Sequence, residues 1–113
     1  MATKTKAEMR DMILEHIGVK AAGQSASAED GDLVETAIDS AYAQLRKFGL
    51  APFATSSVPE WAQTGLRDYV AAVVKPSFGI ETNYAAEKAL AERDLARQMA
   101  GYRHPIRTKV EFF

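Results

Sequence analysis

Apolar residues recur along this chain at intervals of three and four, the spacing that gathers them on one side of an α-helix. Met9, Met12, Ile13 and Ile17 keep that rhythm briefly, which predicts a short helix from near Thr5 to Gly18, a residue suited to a left-handed stop. Leu33, Val34, Ala37, Ile38, Ala41, Tyr42, Leu45 and Phe48 keep it longer and predict a second helix ending at Gly49. Between the two lies "GVKAAGQSASAEDGD", residues 18–32, soft and small until it turns acidic. Ser27 fits the N-cap of the second helix, its hydroxyl placed to accept from the amide of Asp30. Glu29, Asp30 and Asp32 then oppose the positive end of the helix dipole.

After a loop of Leu50, Ala51, Pro52, Phe53, Thr55, Ser56 and Ser57, Pro59 suits the first turn of a third helix, where a missing N–H costs nothing. Ala62, Leu66, Tyr69, Val70 and Val73 form its expected buried face, and Pro76 is expected to close it. Val73 and Val74 are β-branched, but more than three turns of helical spacing outweigh that strand signal. Pro76, Ser77, Phe78 and Gly79 read as a turn, and Thr82 or Asn83 as the cap of a fourth helix running to about Ala100, with Gly101 just beyond. Leu90, Leu95 and Met99 are its expected interior. Residues 102–113, "YRHPIRTKVEFF", change character: Pro105 interrupts helix, and cations alternate with apolar groups. The pattern is all-α: a bundle of about four helices over residues 1–101 and an extended C-terminal arm over 102–113.

Composition narrows the class. A chain of 113 residues, 47% hydrophobic and 26% charged, suits one domain with a modest core. Fourteen Lys and Arg against 15 Asp and Glu leave no global field to draw it onto nucleic acid or an anionic membrane. The absence of cysteine rules out disulfides, zinc–thiolate sites and thiol catalysis, and is compatible with a reducing compartment. The N-terminus lacks the apolar core of a secretory signal, and no window approaches the roughly 20 apolar residues of a membrane span, so neither export nor membrane insertion is expected.

Catalytic and metal-binding patterns are sparse. Glu29, Asp30 and Asp32 lack the alternating oxygen ligands and twelfth-position glutamate of a calcium loop, and capping already accounts for them. His16 and His104 stand far apart with no companion one helical turn away, so a surface or partner-contact role suits both better than a metal. Ser25, Ser27, Ser56 and Ser57 lack nucleophile-elbow glycines, and no phosphate-binding glycine loop occurs. Trp61 and Tyr69 read as core. In the fourth helix Ala85, Ala86, Ala89, Ala91, Ala96 and Ala100 serve either as good helix formers or as small residues that let a neighbouring subunit approach closely. The arm reads as a loose tail, a segment folded back on the bundle, or one that orders on a partner by strand addition or by inserting its Phe pair into a pocket.

The order of these features resembles a known family. A helix ending in Ile17-Gly18-Val19, the "AAGQSASAED" loop and cap, a second helix closing at Phe48-Gly49-Leu50, and "GLRDYVAAVVKPSFGIE" before an Ala-rich helix are similar to the head-to-tail adaptor (connector, or packaged-DNA-stabilising) proteins of tailed bacteriophages. The likeness covers the chain from about Lys6 to Gly101. It departs at Leu45, where the family commonly has an aromatic residue, and at Ile38-Asp39, where Leu-Asn is common. The resemblance implies a virion protein, made in the host cytoplasm, that forms a ring, usually twelve-fold, beneath the portal vertex. Such a ring extends the DNA channel without sequence-specific binding and offers a platform to the next neck or tail protein. It also implies that the arm docks on the portal, making Tyr102, Arg103, His104, Arg107, Lys109, Phe112 and Phe113 the candidate portal contacts. No cofactor or membrane enters that picture.

Two other classes compete. A small helical DNA-binding protein, such as a terminase small subunit, needs cations clustered on one exposed helix face. The third helix offers only Arg67 and Lys75, and the fourth alternates signs. An enzyme ranks last, because no acid, base, nucleophile or metal constellation emerges from the pattern.

Overall fold

A computed structural model describes residues 3–103. Four α-helices follow in order: α1 at Lys6–His16, α2 at Ala28–Lys47, α3 at Glu60–Val74 and α4 at Tyr84–Arg103, with a 3-10 turn at Lys75–Phe78 between the last two. The all-α bundle expected from the pattern is what forms.

Local chemistry sets the boundaries. Thr5 caps α1 reciprocally: its hydroxyl accepts from the Glu8 amide at 3.2 Å, while the Glu8 carboxylate accepts from the Thr5 amide at 2.9 Å. Gly18 follows with φ 82°, a left-handed conformation that costs a residue with a Cβ more. Ser27 caps α2 as expected, accepting from Asp30 N at 3.1 Å, and Asn83 rather than Thr82 accepts from Ala86 N at 3.4 Å at the head of α4. Two proline positions differ from expectation by a residue or two. Pro59 is the N-cap of α3 with ψ 157°, not its first helical residue, and α3 ends at Val74, so that Pro76 lies inside the 3-10 turn.

The helices pack around α3. α1 and α2 cover one side of it and α4 another. Covered on several sides, α3 buries far more than one stripe: Ala62, Gln63, Gly65, Leu66, Tyr69, Val70, Ala71, Ala72 and Val74, while the expected Val73 is only half-buried. Met9, Ile13 and Leu14 of α1 and Val34, Ile38, Ala41 and Leu45 of α2 complete that core. α4 contributes little more than Ala91 and Leu95, and the expected Leu90 is 59% exposed.

Pairwise contacts fix the helix directions. Lys4 and Val58 form an isolated antiparallel bridge, with N···O distances of 3.0 and 2.8 Å, and His16 lies near Asp68; α1 and α3 therefore run the same way. Lys6 pairs with Asp39 and Arg10 with Glu35, so α2 runs opposite to α1. Leu95 lies against Gly65, and Glu87 pairs with Lys75, so α4 runs opposite to α3. The Lys88 ammonium sits 5.5 Å from the Tyr69 ring centre and 5.0 Å from that of Tyr84, tying α4 to α3 again. One end of the bundle consequently gathers the start of α1, the end of α2, the start of α3 and the end of α4.

Candidate functional site

The acidic stretch before α2 behaves as helix punctuation. Glu29 and Asp30 occupy the first turn of α2, beside the amide held by Ser27. Arg10, which lies beside Gly31, is committed elsewhere, to Glu35 at 2.6 Å and Asp11 at 3.1 Å. Among the described residues no three His, Asp or Glu side chains converge as a metal ion requires.

A cleft of about 360 Å³ opens over α3 between the end of α1 and α4, lined by His16, Thr64, Arg67, Asp68, Ala71, Lys75, Glu87, Leu90, Ala91 and Asp94. Its charges compensate one another. Arg67 donates to Asp68 at 2.9 Å, and Lys75 donates to Glu87 at 3.0 Å, which holds the Glu87 carboxyl below its ordinary range. His16 Nε2 is 3.7 Å from Asp68. That carboxylate nevertheless fails to raise the imidazole pKa, because partial burial and the neighbouring Arg67 guanidinium lower it by more. The arrangement fastens α1 and α4 to α3.

The arm-side end of the bundle is built differently. The Tyr42 hydroxyl donates to the Phe53 carbonyl, the two rings lie 6.0 Å apart, and Phe53 meets Trp61 edge-on at 5.8 Å. Arg46 lies over Tyr42, 5.7 Å from the ring centre. This run joins the end of α2 to the start of α3, and all three rings are half-buried. Beside it Phe48, the C-cap of α2, is 59% exposed, although helical spacing had placed it with the buried stripe. The cap position explains the difference: there the chain leaves the helix, and side chains no longer follow its faces. Leu33, at the other end of α2, is also exposed.

Of the residues expected to touch a portal, Tyr102 and Arg103 belong to the last turn of α4 and not to an extended arm. A lone glycine costs a helix only about 1 kcal/mol relative to alanine, and Gly101 does not stop this one. His104, Arg107, Lys109, Phe112 and Phe113 lie outside the described residues. α4, about 30 Å long at 1.5 Å per residue, outreaches the fifteen-residue α3 and delivers the chain past the start of α3, at the aromatic end. Its alanines mostly face outward: Ala85, Ala86, Ala89, Ala96 and Ala100 are exposed, and Ala91 alone of the six is buried.

No protein-family model, curated protein or solved structure matches the chain.

Proposed function

We propose that the chain is a structural adaptor of a phage neck: a ring of copies beneath the portal that joins the capsid vertex to the next neck or tail component and lines the passage of the DNA. The observation carrying this reading is the outer helix. α4 exposes a row of alanines along its outer side, suited to close approach by a neighbouring copy, and hands the chain on beyond one end of the bundle. Several weakly binding arms on one ring dissociate only when all release, so the assembly needs no strong single site. A near-neutral wall also suits a channel in which DNA must slide. The competing DNA-binding reading is weakened by the cations of α3 and the turn after it, since Arg67 and Lys75 are both engaged by carboxylates. No catalytic role is proposed.

The test is truncation. Removing residues 104–113 is expected to leave the helical circular dichroism unchanged and to abolish co-sedimentation with portal rings of the same phage. Undiminished co-sedimentation of the shortened chain would sink the arm's role.

A further inference from the structure

The chain's near-zero net charge conceals a separation of charge along the bundle. At the arm-side end stand Lys4, Arg46, Lys47 and Arg97, against Glu60 and the capping Glu8; Lys6 and Asp39 cancel there. At the opposite end are Glu29, Asp30, Asp32 and Glu81, while Lys20 and Lys75 are paired with Glu15 and Glu87. Compensation of the α2 dipole accounts for cations at its last turn. It accounts neither for the exposed Phe48 beside them nor for the cations before α1 and on α4 at the same end.

The side chains there are held in place. Arg46 is fixed over Tyr42 and donates to its hydroxyl at 3.3 Å, and Tyr42 is anchored on the Phe53 carbonyl. Arg46 and Lys47 form no ion pair among the described residues. A surface ordered before contact loses less freedom on binding. Aromatic residues and arginine are the types that dominate interface energetics.

We infer that this end, with Phe48, Arg46 and Lys47 at its centre, is a second docking surface that takes an acidic protein surface with an apolar recess, on the same partner that receives the arm. The inference rests on the adaptor reading and gives the partner a stated chemistry. Nucleic acid fits less well. A duplex backbone, polar and charged along its length, offers the exposed Phe48 ring no apolar recess. A protein can place a few carboxylates on the cations and an apolar pocket over the ring.

The experiment uses the full-length chain on immobilised portal rings at low and high salt. It compares the wild type with Phe48→Asp, with the pair Arg46→Glu and Lys47→Glu, and with the opposite-end pair Glu29→Lys and Asp32→Lys. Phe48→Asp and the arm-side reversal are each expected to weaken binding about tenfold or more, and the opposite-end reversal to leave it unchanged. Added salt is expected to weaken the wild type more than the arm-side reversal. Charge reversals at the ends of α2 are expected to lower the melting temperature somewhat, so all variants are compared at a temperature where circular dichroism shows each fully folded, which excludes misfolding as the cause. Arm-side variants that bind like the wild type overturn the inference and leave the adaptor reading standing. No binding by the wild type overturns both. Wild-type capture of duplex DNA, lost on reversal of Arg46 and Lys47, overturns the protein partner.

Discussion

His16 lies at the last turn of α1, where the dipole of its own helix favours a charged imidazole, yet its pKa is lowered. Partial burial leads, and Arg67 and Lys75 add repulsion, while Asp68 and Glu87 pull the other way. Asp68 is already engaged by Arg67, which blunts its effect on the ring. A group whose folded pKa is depressed supports the fold above its unfolded pKa and loses that support as pH falls through the folded value. For His16 the window begins near the ordinary 6.5 and extends below it; for Glu87, depressed by the Lys75 hydrogen bond, it begins near 4.5. Urea midpoints are therefore expected to decline from neutral pH toward pH 5, and His16→Gln to flatten that decline. A variant that keeps the full slope would show that another group titrates there. Little of this was legible in the sequence, because Arg67, Asp68, Lys75 and Glu87 meet His16 only once α1, α3 and α4 are assembled.

At the scale of elements, the decisive contact is between α3 and α4. A Cβ built on Gly65 would lie 2.6 Å from Cγ and 2.8 Å from Cδ2 of Leu95, which is completely buried. Elsewhere in a helix, replacing glycine by alanine gains about 1 kcal/mol. Here overpacking costs about 1–3 kcal/mol, and the neighbour is the branch point of a buried leucine and not the flexible end of a long chain. Gly65→Ala is accordingly expected to destabilise the protein, lowering its melting temperature by several degrees for each kcal/mol lost. Calorimetry showing a higher melting temperature would contradict the close crossing. The spacing of "GLRDYVAAVV" indicated a helix but gave no hint that its glycine was a contact point. The caps at Thr5 and Ser27 depend on residues three apart and could be read directly; the faces of α4, where alanines and alternating charges blur the periodicity, could not.

For the whole molecule, the proposed ring raises the question of what would join its copies. α4 leaves exposed alanines on its outer side, with Arg93 and Arg97 among them, a surface of modest apolar content. Contacts of that kind need not hold a ring at low concentration, and partners that bind only the assembled form shift the equilibrium toward it. The isolated chain is expected to sediment as a monomer when dilute and to form rings when portal is added. Analytical ultracentrifugation that finds a stable ring in dilute protein alone would refute this template dependence.

The amino-acid sequence by itself determined the number and order of the helices, the caps at Thr5 and Ser27 and the stop at Gly18, because those choices are made by residues within a turn of each other. It also marked where the chain changes character after α4, though Gly101 misplaced the boundary by about two residues. Only the tertiary structure decided which faces are covered. α3 is buried nearly all round because three helices surround it, Phe48 and Leu90 stay exposed because no element of the described residues covers them, and the cations before α1, at the end of α2 and on α4 meet at one end because the helices alternate in direction. Burial and charge separation are properties of neighbours, and neighbours distant in the chain are set by packing.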